Sequence, residues 1–319
     1  MEKRRLGKSD LRITRVGIGT APIGSTPEWK VYWGPQDEKV AIKTIQTAIE
    51  IGVNWIDTAP FYGWGRAEQI VGRAIKGRRD QVHIFTKCGT VPDGKGGWVE
   101  NLKPENIREQ LKQSLQRLGT DYVDLYQFHD PDPRTPIEES WEEMQRLIDE
   151  GKVRYGGLSN HSTNLIDRAL RVGAVVSSQN QYNPLQRRAE NEIFPFCIEH
   201  EIGVLGWGSL SEGVLAENFD IDKLDPNDFR RRQTYARREN YDKIEKVRQA
   251  FRQVANDHGG TMVHAVIAWE LTHPGLTGAI IGVRNENEAR EMIGGSDWKL
   301  TPDDISVIED ALAAWEGTN

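Results

Sequence analysis

The sequence predicts an α/β protein built as a closed (β/α)8 barrel, the TIM-barrel architecture, and three observations predict it. Eight short apolar runs alternate with longer segments of helical period. Prolines open and glycines close several of the longer segments, as helix termini require. No Pro/Gly/Ser-rich linker or shift in composition divides the 319 residues, so 1–319 reads as one domain.

A hairpin, 4–6 and 11–13 around Gly7-Lys8-Ser9, comes first and is expected to cap the barrel floor. The runs follow at 16–19, 53–57, 82–87, 123–129, 156–159, 175–179, 204–207 and 279–282. Several are apolar on consecutive residues, as in parallel strands covered on both faces. Between them, Ile42, Ile45 and Ile49 stripe a helix that stops at Gly52. Pro104 opens another, with Ile107, Leu111, Leu115 and Leu118 on one face and Gly119 at its end. Thr135-Pro136-Ile137-Glu138 reads as a capping box opening a helix that closes at Gly151. Leu165, Ile166, Ala169 and Leu170 stripe one that stops at Gly173. An open dinucleotide-binding sheet is the competing architecture. Its fingerprint fails here: Gly17-Ile18-Gly19-Thr20-Ala21-Pro22 lacks the third glycine, and no helix follows at once. Gly94-Lys95-Gly96-Gly97 lacks phosphate-loop spacing and reads as a turn.

Composition narrows the partners. The formal charge is −7, and the densest basic stretch, Arg230-Arg231-Arg232 with Arg237-Arg238, lies in a polar loop without a binding module. No nucleic-acid partner is expected. No apolar run is long enough for a membrane span, and two cysteines make no disulfide framework. These features point to a cytoplasmic protein. The sequence shows no His/Cys pattern for a metal, and no heptad seam that would set an oligomeric state.

Active sites of such barrels lie at the carboxyl ends of the strands. The second run ends in Asp57, the third in Lys87 and the fourth in His129; later ones end in Ser159-Asn160, Gln179 and Trp207. Tyr62 follows Asp57 by five residues. A lysine entering a partly buried site needs a carboxylate, and Asp57 on the neighbouring strand supplies one. A nearby ammonium favours the phenolate, so Lys87 is expected to lower the Tyr62 pKa toward the working range. Tyr62 is then a proton donor, and His129 holds the substrate oxygen in line for hydride transfer.

Over essentially its whole length the chain resembles the aldo-keto reductase superfamily. The resemblance rests on 54–63 (NWIDTAPFYG), Phe85-Thr86-Lys87, 121–129 (DYVDLYQFH), 151–160 (GKVRYGGLSN), 179–182 and 206–210. It implies a catalytic tetrad of Asp57, Tyr62, Lys87 and His129. It further implies that Ser159, Asn160 and Gln179 bind a nicotinamide carboxamide, while Trp207 stacks on the ring. Thr20, Asp57, Gly208, Ser209, Leu210, Ser211, Gly213, Gly282, Arg284 and Glu288 complete the implied cofactor contacts, with Ser209 replacing the more usual proline. Arg284 suits a 2′-phosphate and points to NADP(H); Glu288, in place of the frequent glutamine, suits a ribose hydroxyl and leaves NAD(H) open.

The implied activity is reduction of aldehydes, ketones or sugars to alcohols, with polyol oxidation as the reverse direction. Trp33 and Trp64, with Tyr62 and His129, are expected to contact the substrate, among further aromatics at Trp29, Tyr32 and Trp98. A non-catalytic nicotinamide-binding subunit is the other reading. The intact His129 argues against it.

Overall fold

The computed structural model describes residues 1–316. Strands β1 (Lys3–Arg5) and β2 (Arg12–Thr14) form an antiparallel hairpin with Arg4 opposite Ile13. The chain then alternates through β3 (Val16–Gly19), α1 (Glu38–Glu50), β4 (Trp55–Asp57), α2 (Arg66–Ala74) and β5 (His83–Cys88). A second hairpin, β6 (Thr90–Pro92) and β7 (Trp98–Glu100), precedes α3 (Pro104–Leu118) and β8 (Val123–Phe128). There follow α4 (Ile137–Asp149), β9 (Val153–Ser159), α5 (Thr163–Leu170), β10 (Ser177–Gln181), α6 (Ile193–His200) and β11 (Gly203–Trp207). The described chain ends through α7 (Arg238–Asp257), α8 (Met262–Thr272), β12 (Leu276–Gly282), α9 (Glu286–Gly294) and α10 (Pro302–Glu316).

Eight parallel strands close into a barrel in the order β10-β11-β12-β3-β4-β5-β8-β9. One apolar core lies between strands and helices, from Val16 and Ile45 round to Ile308 and Leu312. A second fills the barrel interior. There Leu6, Leu11 and Ile13 of the first hairpin meet Trp55, Phe85, Leu125, Leu205 and Ile280, so the hairpin caps the floor. Gly17 is required by this packing: a Cβ on it would lie 2.1 Å from the Trp55 indole. No described helix is long and apolar enough to cross a membrane.

Pro104 sits in the first turn of α3, and Gly119 ends that helix in the left-handed conformation at φ 64°. The expected capping box on α4 does not form. Pro136 takes the N-cap position itself, and the Thr135 hydroxyl donates to Asp132 Oδ2 instead. The sixth barrel strand starts two residues later than its apolar run, and its residues Ser177, Ser178, Gln179 and Asn180, alternating between the two faces of the sheet, are polar yet buried. Around Gly94 the expected turn joins a hairpin, with Asp93 Oδ1 accepting from the amides of Lys95 and Gly97.

Candidate active site

At the carboxyl end of the barrel a cavity of about 690 Å³ runs from Trp29, Tyr62 and His129 past Asn160, Gln179 and Trp207 to Arg284 and Met292. Its walls are loops that follow strand ends.

Lys87 is completely buried on β5 and its ammonium makes three contacts. Nζ donates to Asp57 Oδ1 at 2.5 Å, to the Thr58 carbonyl at 3.2 Å and to the Tyr62 hydroxyl at 3.0 Å. Neighbouring strands impose this, since Asp57 ends β4 and pairs with Phe85 of β5. Tyr62 arrives on the following loop. Gly63 turns there at φ 62°, so close to the first loop that a Cβ would lie 1.9 Å from the Gly24 carbonyl. His129 follows β8, its amide donating to Cys88 O at 2.8 Å and its ring edge-on to Tyr62 with centroids 5.7 Å apart.

The electrostatics depart from the sequence expectation in one respect. Burial raises the Tyr62 pKa and the Asp57 charge adds to this, outweighing the pull of Lys87, so the net shift is upward. The phenol stays protonated at neutral pH. Burial presses the Lys87 pKa down, but Asp57 and Tyr62 lift it above its ordinary value, and the ammonium stays charged. Desolvation, helped by the Lys87 charge, holds the His129 imidazole well below 6.5 and therefore neutral.

The second oxygen of Asp57 accepts from Gln179 Nε2 at 2.8 Å and Gln127 Nε2 at 3.4 Å. Asn160 stands at φ 58°, donating to Asp130 Oδ1 and accepting from the Trp207 indole at 3.1 Å. The buried Ser159 hydroxyl beside it has no partner. The Thr20 hydroxyl donates to the Asp57 carbonyl. Gly208, Ser209, Leu210, Gly213 and Gly282 line the cavity, the Ser209 hydroxyl reaching Ile280 O at 3.4 Å. At the far end the Arg284 guanidinium donates to Pro35 O and Gln36 Oε1, and Glu288 accepts the Arg284 amide at 2.8 Å.

Two expected contacts do not reach the cavity. Ser211, left-handed at φ 48°, turns its hydroxyl to Asn183 Oδ1 behind the loop. Trp64, left-handed at φ 53°, points outward and packs edge-on against Phe61 in solvent. Trp33 does line it, held by Phe229 with centroids 4.7 Å apart and by the Arg230 guanidinium over its ring. Sequence reasoning missed Phe61, Gln127 and Phe229, and read Arg230 only as part of a basic loop, solvated or reaching a bound phosphate. Arg230 is locked by both oxygens of Asp228, a pairing visible only as Asp-x-Arg in a basic loop. Gln127 carried a readable signal, standing near the end of β8 two residues before His129.

The chain matches the model of the aldo/keto reductase family over residues 15–313. It is 35% identical over 317 residues to an aldo-keto reductase of Bacillus subtilis, covering 98% of this chain and 94% of that one. It is 33% identical over 329 residues to the NADH-specific methylglyoxal reductase of Escherichia coli, covering 99% and 100%. The structure of a glycerol dehydrogenase from Gluconobacter oxydans superposes with a TM-score of 0.88 at 32% identity, covering 98% of this chain and 95% of that one. Matched from end to end in sequence and in barrel geometry, this chain belongs to the aldo/keto reductase family, whose members carry out nicotinamide-dependent carbonyl reduction.

Proposed function

We propose that Asp57, Tyr62, Lys87 and His129 are the catalytic tetrad of an NADP(H)-dependent reductase of small aldehydes, ketones or sugars, which also admits NAD(H) and is contained in one barrel domain. The observation that carries this is the Lys87 ammonium held between the Asp57 carboxylate and the Tyr62 hydroxyl.

The nicotinamide cofactor, when bound, supplies the hydride to the carbonyl carbon. Tyr62, kept protonated by its surroundings, donates its proton to the carbonyl oxygen. Lys87 stabilises the phenolate that results, and Asp57 keeps Lys87 charged and aimed. Neutral His129 offers an imidazole N–H to the same oxygen. In the reverse direction the phenolate takes the alcohol proton, so one site serves both reactions.

The donor set fits a nicotinamide. The unpartnered Ser159 hydroxyl, the Asn160 amide and the Gln179 amide suit its carboxamide, and Trp207 is a flat wall for its ring. Arg284 supports NADP(H). Glu288 against the Arg284 amide supports admitting NAD(H), as does the NADH specificity in the name of the Escherichia coli relative. The names of two relatives, a methylglyoxal reductase and a glycerol dehydrogenase, support a small oxygen-rich substrate. Two free, buried cysteines and the net charge of −7 support a cytoplasmic enzyme without nucleic-acid or membrane partners.

Purified protein should consume NADPH or NADH in the presence of glyceraldehyde or methylglyoxal. Tyr62→Phe should lower kcat by about 100-fold or more while the cofactor Kd stays within about threefold of wild type. Unchanged turnover in that variant would remove Tyr62 as the acid.

A further inference from the structure

Gln127 is fully buried on β8, opposite Lys87 of β5 and Gly157 of β9. Gly157 makes room for it: a Cβ there would already lie 3.2 Å from Gln127 Cγ. No step of the proposed reaction uses Gln127, yet it stands at the junction of the proton-donating and cofactor-binding groups. Asp57 divides its oxygens, Oδ1 to Lys87 at 2.5 Å and Oδ2 to the Gln179 and Gln127 amides at 2.8 and 3.4 Å. A carboxylate only accepts, so both amides must turn their NH2 groups toward it. Gln179 Nε2 also donates to Gln127 Oε1 at 3.3 Å. An amide nitrogen has two hydrogens, and here both are engaged on the inner side. The branch of Gln179 left for the cavity it lines is therefore its carbonyl oxygen.

We propose that Gln127 is a positioning residue that locks the Gln179 amide in one orientation, so that Gln179 presents an acceptor to the cavity and selects a ligand group carrying N–H donors. This deepens the cofactor reading above and rests on it, the group selected being the nicotinamide carboxamide. Asp57 alone holds one hydrogen of the Gln179 NH2. Gln127 Oε1 holds the other; without it that buried hydrogen has no acceptor and the bond to Asp57 is left as the single restraint on the amide's terminal torsion. The same contact ties Gln179 to the carboxylate that orients Lys87.

The test compares binding of oxidised dinucleotide carrying either the natural carboxamide or an acetyl group in its place. Both ligands are used in their 2′-hydroxyl and 2′-phosphate forms, with Kd read from quenching of tryptophan fluorescence. The acetyl ligand has no N–H to give Gln179. Wild-type protein should prefer the carboxamide by about tenfold, the size of one hydrogen bond. Gln127→Met should narrow that preference to about threefold or less. Gln179→Met should abolish it, and adding Gln127→Met to Gln179→Met should change nothing further. A purely structural role would weaken both ligands equally and leave the ratio alone. Gln127→Leu carries the same expectation should the methionine variant not fold. An unchanged ratio in a folded Gln127 variant overturns the proposal. Failure of wild-type protein to bind any of the four dinucleotides overturns the cofactor reading, and this inference with it.

Discussion

The Tyr62 hydroxyl and the Lys87 ammonium are 3.0 Å apart, and burial acts on them in opposite senses. Burial favours neutral phenol and neutral amine; Asp57 reverses the outcome for the lysine and reinforces it for the tyrosine. The pair therefore rests as acid and cation, the state a reduction begins from. Glu270 shows what burial does without such a partner. It is fully buried on α8 without an ion pair, and burial raises its pKa to about 8 although the Ser209 hydroxyl and Arg15 draw it down. With the folded value above 4.5, protonation favours the folded state. That stability is complete below about pH 4.5 and is lost as pH rises toward 8. The loss at pH 7 is of order 3 kcal/mol at most. Glu270→Gln should therefore raise Tm, and more at pH 8 than at pH 5. Parallel shifts at the two pH values would show that the carboxyl is not titrating in this range.

Among the elements, the N-terminal hairpin does what no barrel strand can do, closing the floor with side chains that enter the interior from below. Leu6 is wholly inaccessible there. Leu6→Ala should cost about 2–5 kcal/mol in urea unfolding while leaving cofactor Kd unchanged, because the hairpin lies at the end opposite the site. A loss under 1 kcal/mol would mean that the floor is not sealed by this contact. The barrel elements were largely legible, since runs such as that at 82–87 are apolar enough to stand out against helices with proline and glycine punctuation. The polar strand Ser177–Gln181 was legible only in part. Asn180 donates to Ser178 Oγ within the strand and Gln179 to Asp57 and Gln127 across the barrel, and a hydrophobic pattern does not register such pairing. The hairpin of β6 and β7 went unread because its turn residues outweigh its two three-residue strands.

Across the whole molecule, the proposed catalysis in both directions depends on one proton at Tyr62. With its pKa raised above 10, the phenol is protonated throughout the neutral range. Reductive kcat should stay flat from about pH 6 to 9, whereas oxidative kcat should climb over the same range as the phenolate becomes accessible. Steady-state rates in both directions across that range test this. A reductive rate that falls between pH 7 and 8 would place the Tyr62 pKa on the other side of its ordinary value.

The sequence by itself determined the alternation of strand and helix, the closing hairpin and the strand-end positions of Asp57, Lys87 and His129, because periodicity and spacing are local properties of the chain. Tertiary structure alone decided the rest. It turned Ser211 and Trp64 away from the cavity, brought Phe229 and Arg230 onto Trp33 from some 200 residues along the chain, and set Gln127 between Asp57 and Gln179. It also decided the sign of the Tyr62 shift. Dehydration and the distances to two opposite charges fix that sign, and neither exists until the barrel has closed.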